Sequence, residues 1–102
     1  MDISAENNKI AKHYGYGAQS NQLIEECAEL IQAVNKHKRA LAERDENKHD
    51  IALSNLLEEI ADVEIMLSQL KYLLGIKPED IIAIKQYKVI RTKERIEQKA
   101  RD

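Results

Sequence analysis

Residues that break helices are almost absent from this chain, and that scarcity limits its fold more than any other feature. Its glycines are Gly15, Gly17 and Gly75 and its single proline is Pro78, so the turn signals of an all-β chain are missing. The sequence therefore predicts an all-α fold. At 102 residues it forms one domain, residues 1–102, with a modest core, and a chain this short gains from burying further apolar surface against a second copy.

Residues 1–17 read as a polar lead-in, with Ile3 and Ile10 too sparse for an apolar face and the Tyr14-Gly15-Tyr16-Gly17 run ending any short helix. Ser20 is the expected cap of a first long helix to about Ala42, whose stripe is Leu23, Ile24, Cys27, Leu30, Ile31 and Val34. Glu43 to Asp50 has no apolar residue and reads as a solvated connection or a frayed helix end. A second helix is expected from about Ile51 to Leu74, burying Leu53, Leu56, Leu57, Ile60, Val63, Leu67, Leu70 and Leu74. Gly75 ends it, and Pro78-Glu79-Asp80 opens a third helix to about Gln98 with Ile81, Ile82, Val89 and Ile96 on one side. The expected architecture is two long antiparallel helices, a third packed beside them and a short N-terminal segment.

Within the first two helices one acidic pattern occurs twice. Leu23-Ile24-Glu25-Glu26-Cys27-Ala28-Glu29-Leu30 returns 33 residues later as Leu56-Leu57-Glu58-Glu59-Ile60-Ala61-Asp62-Val63. Residues three apart lie on nearly the same side of a helix, so Glu26 with Glu29 and Glu59 with Asp62 form two carboxylate pairs. Side by side, the helices would bring four like charges together, an arrangement that asks for a cation. Glu59 lies at the edge of the apolar arc, where an unpartnered acid is costly. Oxygen donors without a Cys or His pattern select Mg²⁺, or Mn²⁺, over Zn²⁺ or copper. Glu25 and Glu58 point further toward solvent. The alternative of a solvated acidic face paired with lysines fits one such motif better than two matched copies. A di-iron carboxylate bundle would need two Glu-x-x-His pairs; the one present, Glu46 to His49, lies in the most polar stretch, and His13 and His37 also sit on polar ground.

On the third helix Lys85, Lys88, Thr92 and Arg95 recur at three- and four-residue steps beside the apolar stripe. Snorkelling is the ordinary reading of any one of them. As a row facing two acidic helices they suit the outer oxygens of a triphosphate.

The net charge of −2, from 16 basic and 18 acidic residues, argues against a general binder of nucleic acid polymers. A lone cysteine, Cys27, fits a reducing, cytoplasmic compartment. The polar N-terminus does not resemble a signal peptide, and no run approaches the roughly 20 apolar residues that span a bilayer.

Glu25-Glu26-x-x-Glu29, then Glu59-x-x-Asp62 on the next long helix, then a basic third helix, resembles the MazG-like family of all-α nucleoside triphosphate pyrophosphohydrolases, over roughly Gln19 to Glu97. The resemblance implies Mg²⁺ ligation by Glu26, Glu29, Glu59 and Asp62, and matches Lys88 and Arg95 to the family's downstream basic positions. It further implies a homodimer or homotetramer and hydrolysis of a nucleoside triphosphate to the monophosphate and pyrophosphate, as in removal of non-standard nucleotides. Lys88 and Arg95, with Lys85, would stabilise the departing pyrophosphate, and Glu25 or Glu58 would orient or deprotonate the water. Substrate contacts are expected from Gln19, Gln22, Lys85, Lys88, Thr92 and Arg95, with Tyr14 and Tyr16 as further base-binding candidates. The chain departs from the family's pattern in the 29 residues, Leu30 to Glu58, between its acidic motifs, in Thr92 where many members carry Asn, and in its lack of Trp and Phe. The contrasting expectation is a non-catalytic helical interaction or regulatory module of the same fold.

Overall fold

A computed structural model describes residues 1–102. It contains three helices and no strand: α1 (Ile3–Leu41), α2 (Glu46–Leu73) and α3 (Pro78–Arg101). No helix is long and apolar enough to cross a membrane.

The lead-in carries one short helix that breaks within the Tyr14–Gly17 run, as the sequence allows. Asp2 caps α1, its carboxylate accepting the backbone N–H of Ala5 at 3.1 Å. The helix is interrupted once, at Gly15, whose φ of 84° and ψ of 171° turn the chain sharply. Residues 3–14 then cross α2 near its C-terminal end, so the stretch that lacks an apolar stripe is held by polar contacts. Asn7 Nδ2 donates to the Ile65 carbonyl at 3.0 Å, Gln69 Nε2 donates to Asn7 Oδ1 at 2.7 Å, and Gln19 Nε2 donates to Gln69 Oε1 at 2.7 Å. Gln69, 2% exposed, is the most deeply buried large side chain.

The connection from α1 to α2 is shorter than the polar run predicts. Asp45 caps α2 by accepting from the N–H groups of Asn47 and Lys48, which lets the helix start among charged residues. Lys48 Nζ donates to Glu43 Oε2 at 2.6 Å, and this hydrogen bond, with the charge of Glu43, raises the lysine above its ordinary range. His49 Nε2 lies 2.6 Å from the Glu43 carbonyl oxygen, making it a residue of the turn. At the other end of α2, Gly75 takes a φ of 62° and Pro78 opens α3, as their positions predict.

α1 and α2 pack antiparallel along a seam with heptad-like spacing. On α1 it runs through Gln19, Leu23, Glu26, Leu30, Ala33, His37 and Ala40; on α2, through Ala52, Leu56, Glu59, Val63, Met66, Leu70 and Leu73. All of these are buried or half-buried. The small side chains of Ala33 and Ala52 let the two backbones approach. The seam uses one edge of each apolar arc, which corrects the expected core: Leu53, Leu57, Ile60, Leu67 and Leu74, and on α1 Ile24, Ile31 and Val34, remain exposed. Counting 100° per residue from the seam, these side chains lie to one side of both helices. Glu25, Glu29 and Lys36, with Asn55, Glu58 and Asp62, lie to the other. Because the helices run antiparallel, the hairpin has one apolar face and one acidic face.

α3 does not pack beside the hairpin as expected. It makes no helix-to-helix contact with α1 or α2, and only its first turns border a cleft with Ser4, Asn8, Ser68 and Tyr72. Two packed helices are about 20 Å across, yet the molecule extends 47 × 41 × 26 Å, so α3 projects sideways. The radius of gyration is 17.8 Å, against about 13 Å for a compact chain of this length.

Candidate metal centre

The repeated acidic motif converges at the middle of the seam. Carboxylate oxygens of Glu26, Glu29 and Glu59 lie within 4.8 Å of one another. Glu26 and Glu59 occupy seam positions normally filled by apolar residues, while Glu29 stands one turn along, on the acidic face. Asp62, the counterpart of Glu29 on α2, is half-buried and lies outside this three-acid cluster.

The partners of these oxygens identify the unusual feature. Gln22 Nε2 donates to Glu26 Oε1 at 2.8 Å. Glu26 Oε2 and Glu59 Oε2 are buried and have no hydrogen-bond partner. An unsatisfied buried oxygen costs on the order of 1–3 kcal/mol, more for a charged group, and three acids at this separation repel one another. A hard divalent cation among them would satisfy both orphaned oxygens and cancel the repulsion, and the all-oxygen donor set suits Mg²⁺ or Mn²⁺.

Beside the cluster lies a cleft of about 150 Å³ lined by Glu29, Gln32, Ala33, Lys36, Ala52, Asn55 and Glu59. Lys36 and Asn55 were not expected at the site. Lys36 follows Glu29 by seven residues, two helical turns, and so shares its strip of α1; Asn55 precedes Glu59 by four on α2. That spacing is present in the sequence, but the cationic row on the third helix is the more regular signal.

The remaining predicted residues are dispersed. Glu25 and Glu58 are exposed on the acidic face. Gln22 is engaged with Glu26, and Gln19 with Gln69. Lys85, Lys88, Thr92 and Arg95 are carried by α3, away from the acidic cluster, and Thr92 Oγ1 donates to the Lys88 carbonyl at 2.9 Å. Tyr14 and Tyr16 are exposed, Tyr14 meeting His13 edge to face with ring centroids 4.7 Å apart. Comparison with family models, with curated proteins and with solved structures finds no match to this chain.

Proposed function

We propose that this protein is a Mg²⁺-dependent nucleoside triphosphate pyrophosphohydrolase, acting as a homodimer or homotetramer. The observation that carries this reading is the pair of buried, unpartnered oxygens on Glu26 and Glu59, next to a cleft lined by Glu29, Glu59 and a lysine. Glu26, Glu29 and Glu59, with Asp62 at the margin, would hold the ion, which when bound supplies polarisation of phosphate oxygens and acidification of water. Lys36 reaches phosphate oxygens with a charge-assisted hydrogen bond, and Asn55 offers an amide donor across the cleft. Water attacks the α-phosphorus, the bond from that phosphorus to the oxygen bridging to the β-phosphate breaks, and pyrophosphate leaves. Glu25 or Glu58, exposed on the same face, accepts the water's proton. Lys85, Lys88, Thr92 and Arg95 would join the substrate only with α3 placed differently, within the chain or across an assembly.

The test is a screen of common and damaged nucleoside triphosphates for pyrophosphate release, with Mg²⁺ and with chelator. Metal-dependent release that disappears in Glu59→Gln supports the reading; release unchanged in that variant overturns the site.

A second reading, a non-catalytic helical interaction module, draws on the separation of the cationic row from the acidic cluster. A Mg²⁺ titration distinguishes it: no thermal stabilisation, and no weaker binding on removing Glu26, would favour the module.

A further inference from the structure

All three helices meet at one place, where the start of α1, the end of α2 and the first turns of α3 border a cleft of about 430 Å³. A space of that order holds a small organic molecule. Ile76, Pro78, Ile81 and Ile82 give it an apolar wall. Its polar groups are Ser4 and Asn8 of α1, Ser68, Lys71 and Tyr72 of α2, and Lys85 of α3. Whereas Asn7 is engaged with Ile65 and Gln69, the side chains of Asn8 and Ser68 hold no hydrogen bond and are half-buried. No carboxylate lines the cleft, although acids outnumber bases in the chain. Counting 100° per residue, Glu79 and Asp80 lie more than about 100° around α3 from the side shared by Pro78, Ile81, Ile82 and Lys85. Glu64, one turn before Ser68, lines a neighbouring cleft with Ile3 and Ala61. The ion pairs of the chain are Lys9–Glu6, Lys48–Glu43 and Lys93–Glu97, so Lys71 and Lys85 are both without an anion.

We infer that this junction binds a small phosphate monoester with an apolar body. Two ammonium groups on one cleft repel each other until an anion lies between them, and together they match the charge of a phosphate monoester, about −1.5 to −2 at pH 7. Lys71 and Lys85 pair with the phosphate through charge-assisted hydrogen bonds, to which the hydroxyls of Ser4 and Ser68 and the amide of Asn8 add neutral donors. The apolar body covers Ile76, Ile81 and Ile82. None of Glu26, Glu29 and Glu59 lines this cleft, so the inference stands apart from the activity proposed above. Because α3 makes no helix-to-helix contact with α1 or α2, a ligand joining Lys71 to Lys85 also fixes the direction in which α3 leaves the hairpin.

Calorimetric titration of the full chain with phenyl phosphate tests this, in chelator so that the acidic cluster holds no metal. One molecule per chain is expected to bind, with phenol and inorganic phosphate each weaker by roughly 10-fold or more. Lys71→Ala and Lys85→Ala should each weaken phenyl phosphate binding by about 10-fold. Lys36→Ala in the acidic cleft and Lys99→Ala in the last turn of α3 should leave it unchanged. Absence of saturable binding, inorganic phosphate binding as tightly as the phenyl ester, or an equal loss in Lys36→Ala or Lys99→Ala overturns the proposal. Hydrogen exchange of the parent protein requires no variant: phenyl phosphate must raise the protection of residues 76–85, and an unchanged level there refutes the site.

Discussion

Glu26 and Glu59 meet across the seam between α1 and α2, each with one carboxylate oxygen buried and unpartnered. Acids at such positions weaken the helix pair that carries them, so a variant that loses the charge should strengthen the fold when no cation is present. Glu59→Leu in chelator is expected to gain about 1–3 kcal/mol in stability, read as a higher Tm. In Mg²⁺ or Mn²⁺ the ranking should reverse, because a ligand bound only to the folded state adds about 4.1 kcal/mol at roughly one thousand times its Kd. A Glu59→Leu protein less stable than the parent in chelator would show that the two acids are already satisfied.

Lys36 shares the cleft with Glu29, Asn55 and Glu59. Lys36→Ala removes a charge-assisted hydrogen bond to phosphate, a loss of about 1.5–3 kcal/mol. The expected result is a rise in KM for the triphosphate of roughly 10-fold to 100-fold, with the metal-induced rise in Tm preserved. Arg95→Ala should change KM less than Lys36→Ala if α3 stays clear of the cleft. Steady-state kinetics of the two variants side by side decides between these cations.

The sequence made the helices legible but not the edge along which they would join. The apolar arc of α2 is wide enough for two neighbours, and Leu56, Leu57 and Ile60 are chemically alike. The small residues Ala33 and Ala52 are buried on the line that joins the helices, with Glu26 and Glu59 half-buried on the same line and Leu57 and Ile31 left outside. The acidic pairs could be read from the three-residue spacing alone, because that relationship is local. The placement of α3 could not, since its apolar stripe fits any partner and nothing in Gly75 to Pro78 fixes a direction.

The lead-in escaped the pattern for a related reason: its attachment is polar and long-range. Gln69 connects Asn7 and Gln19, which are separated by more than three helical turns of sequence. Gln69→Leu keeps the volume close but strands an amide oxygen and an amide N–H, so a loss of about 2–4 kcal/mol is expected. Residues 3–14 should also lose hydrogen-exchange protection before the seam does. Equal loss throughout the chain would place the network within the main cooperative unit.

Gly15 and Gly17 stand two residues apart and should respond to the same substitution in opposite directions. Neither has a neighbour within 4 Å of where a Cβ would lie, so crowding plays no part and backbone conformation alone sets the outcome. Gly15, at φ 84° and ψ 171°, occupies a region nearly closed to other residues, and Gly15→Ala should cost about 1–3 kcal/mol. Its relief is a straight α1, which would carry Asn7 away from Gln69. Gly17 lies within regular helix, where alanine restricts the unfolded chain and favours the helix, so Gly17→Ala should gain about 0.5–1 kcal/mol. Chemical denaturation of both variants measures the difference in sign. Small-angle scattering of Gly15→Ala would reveal the straightened α1 as a longer maximum dimension, and a profile identical to the parent's would mean that the Asn7–Gln69 contact holds the bend against the strain.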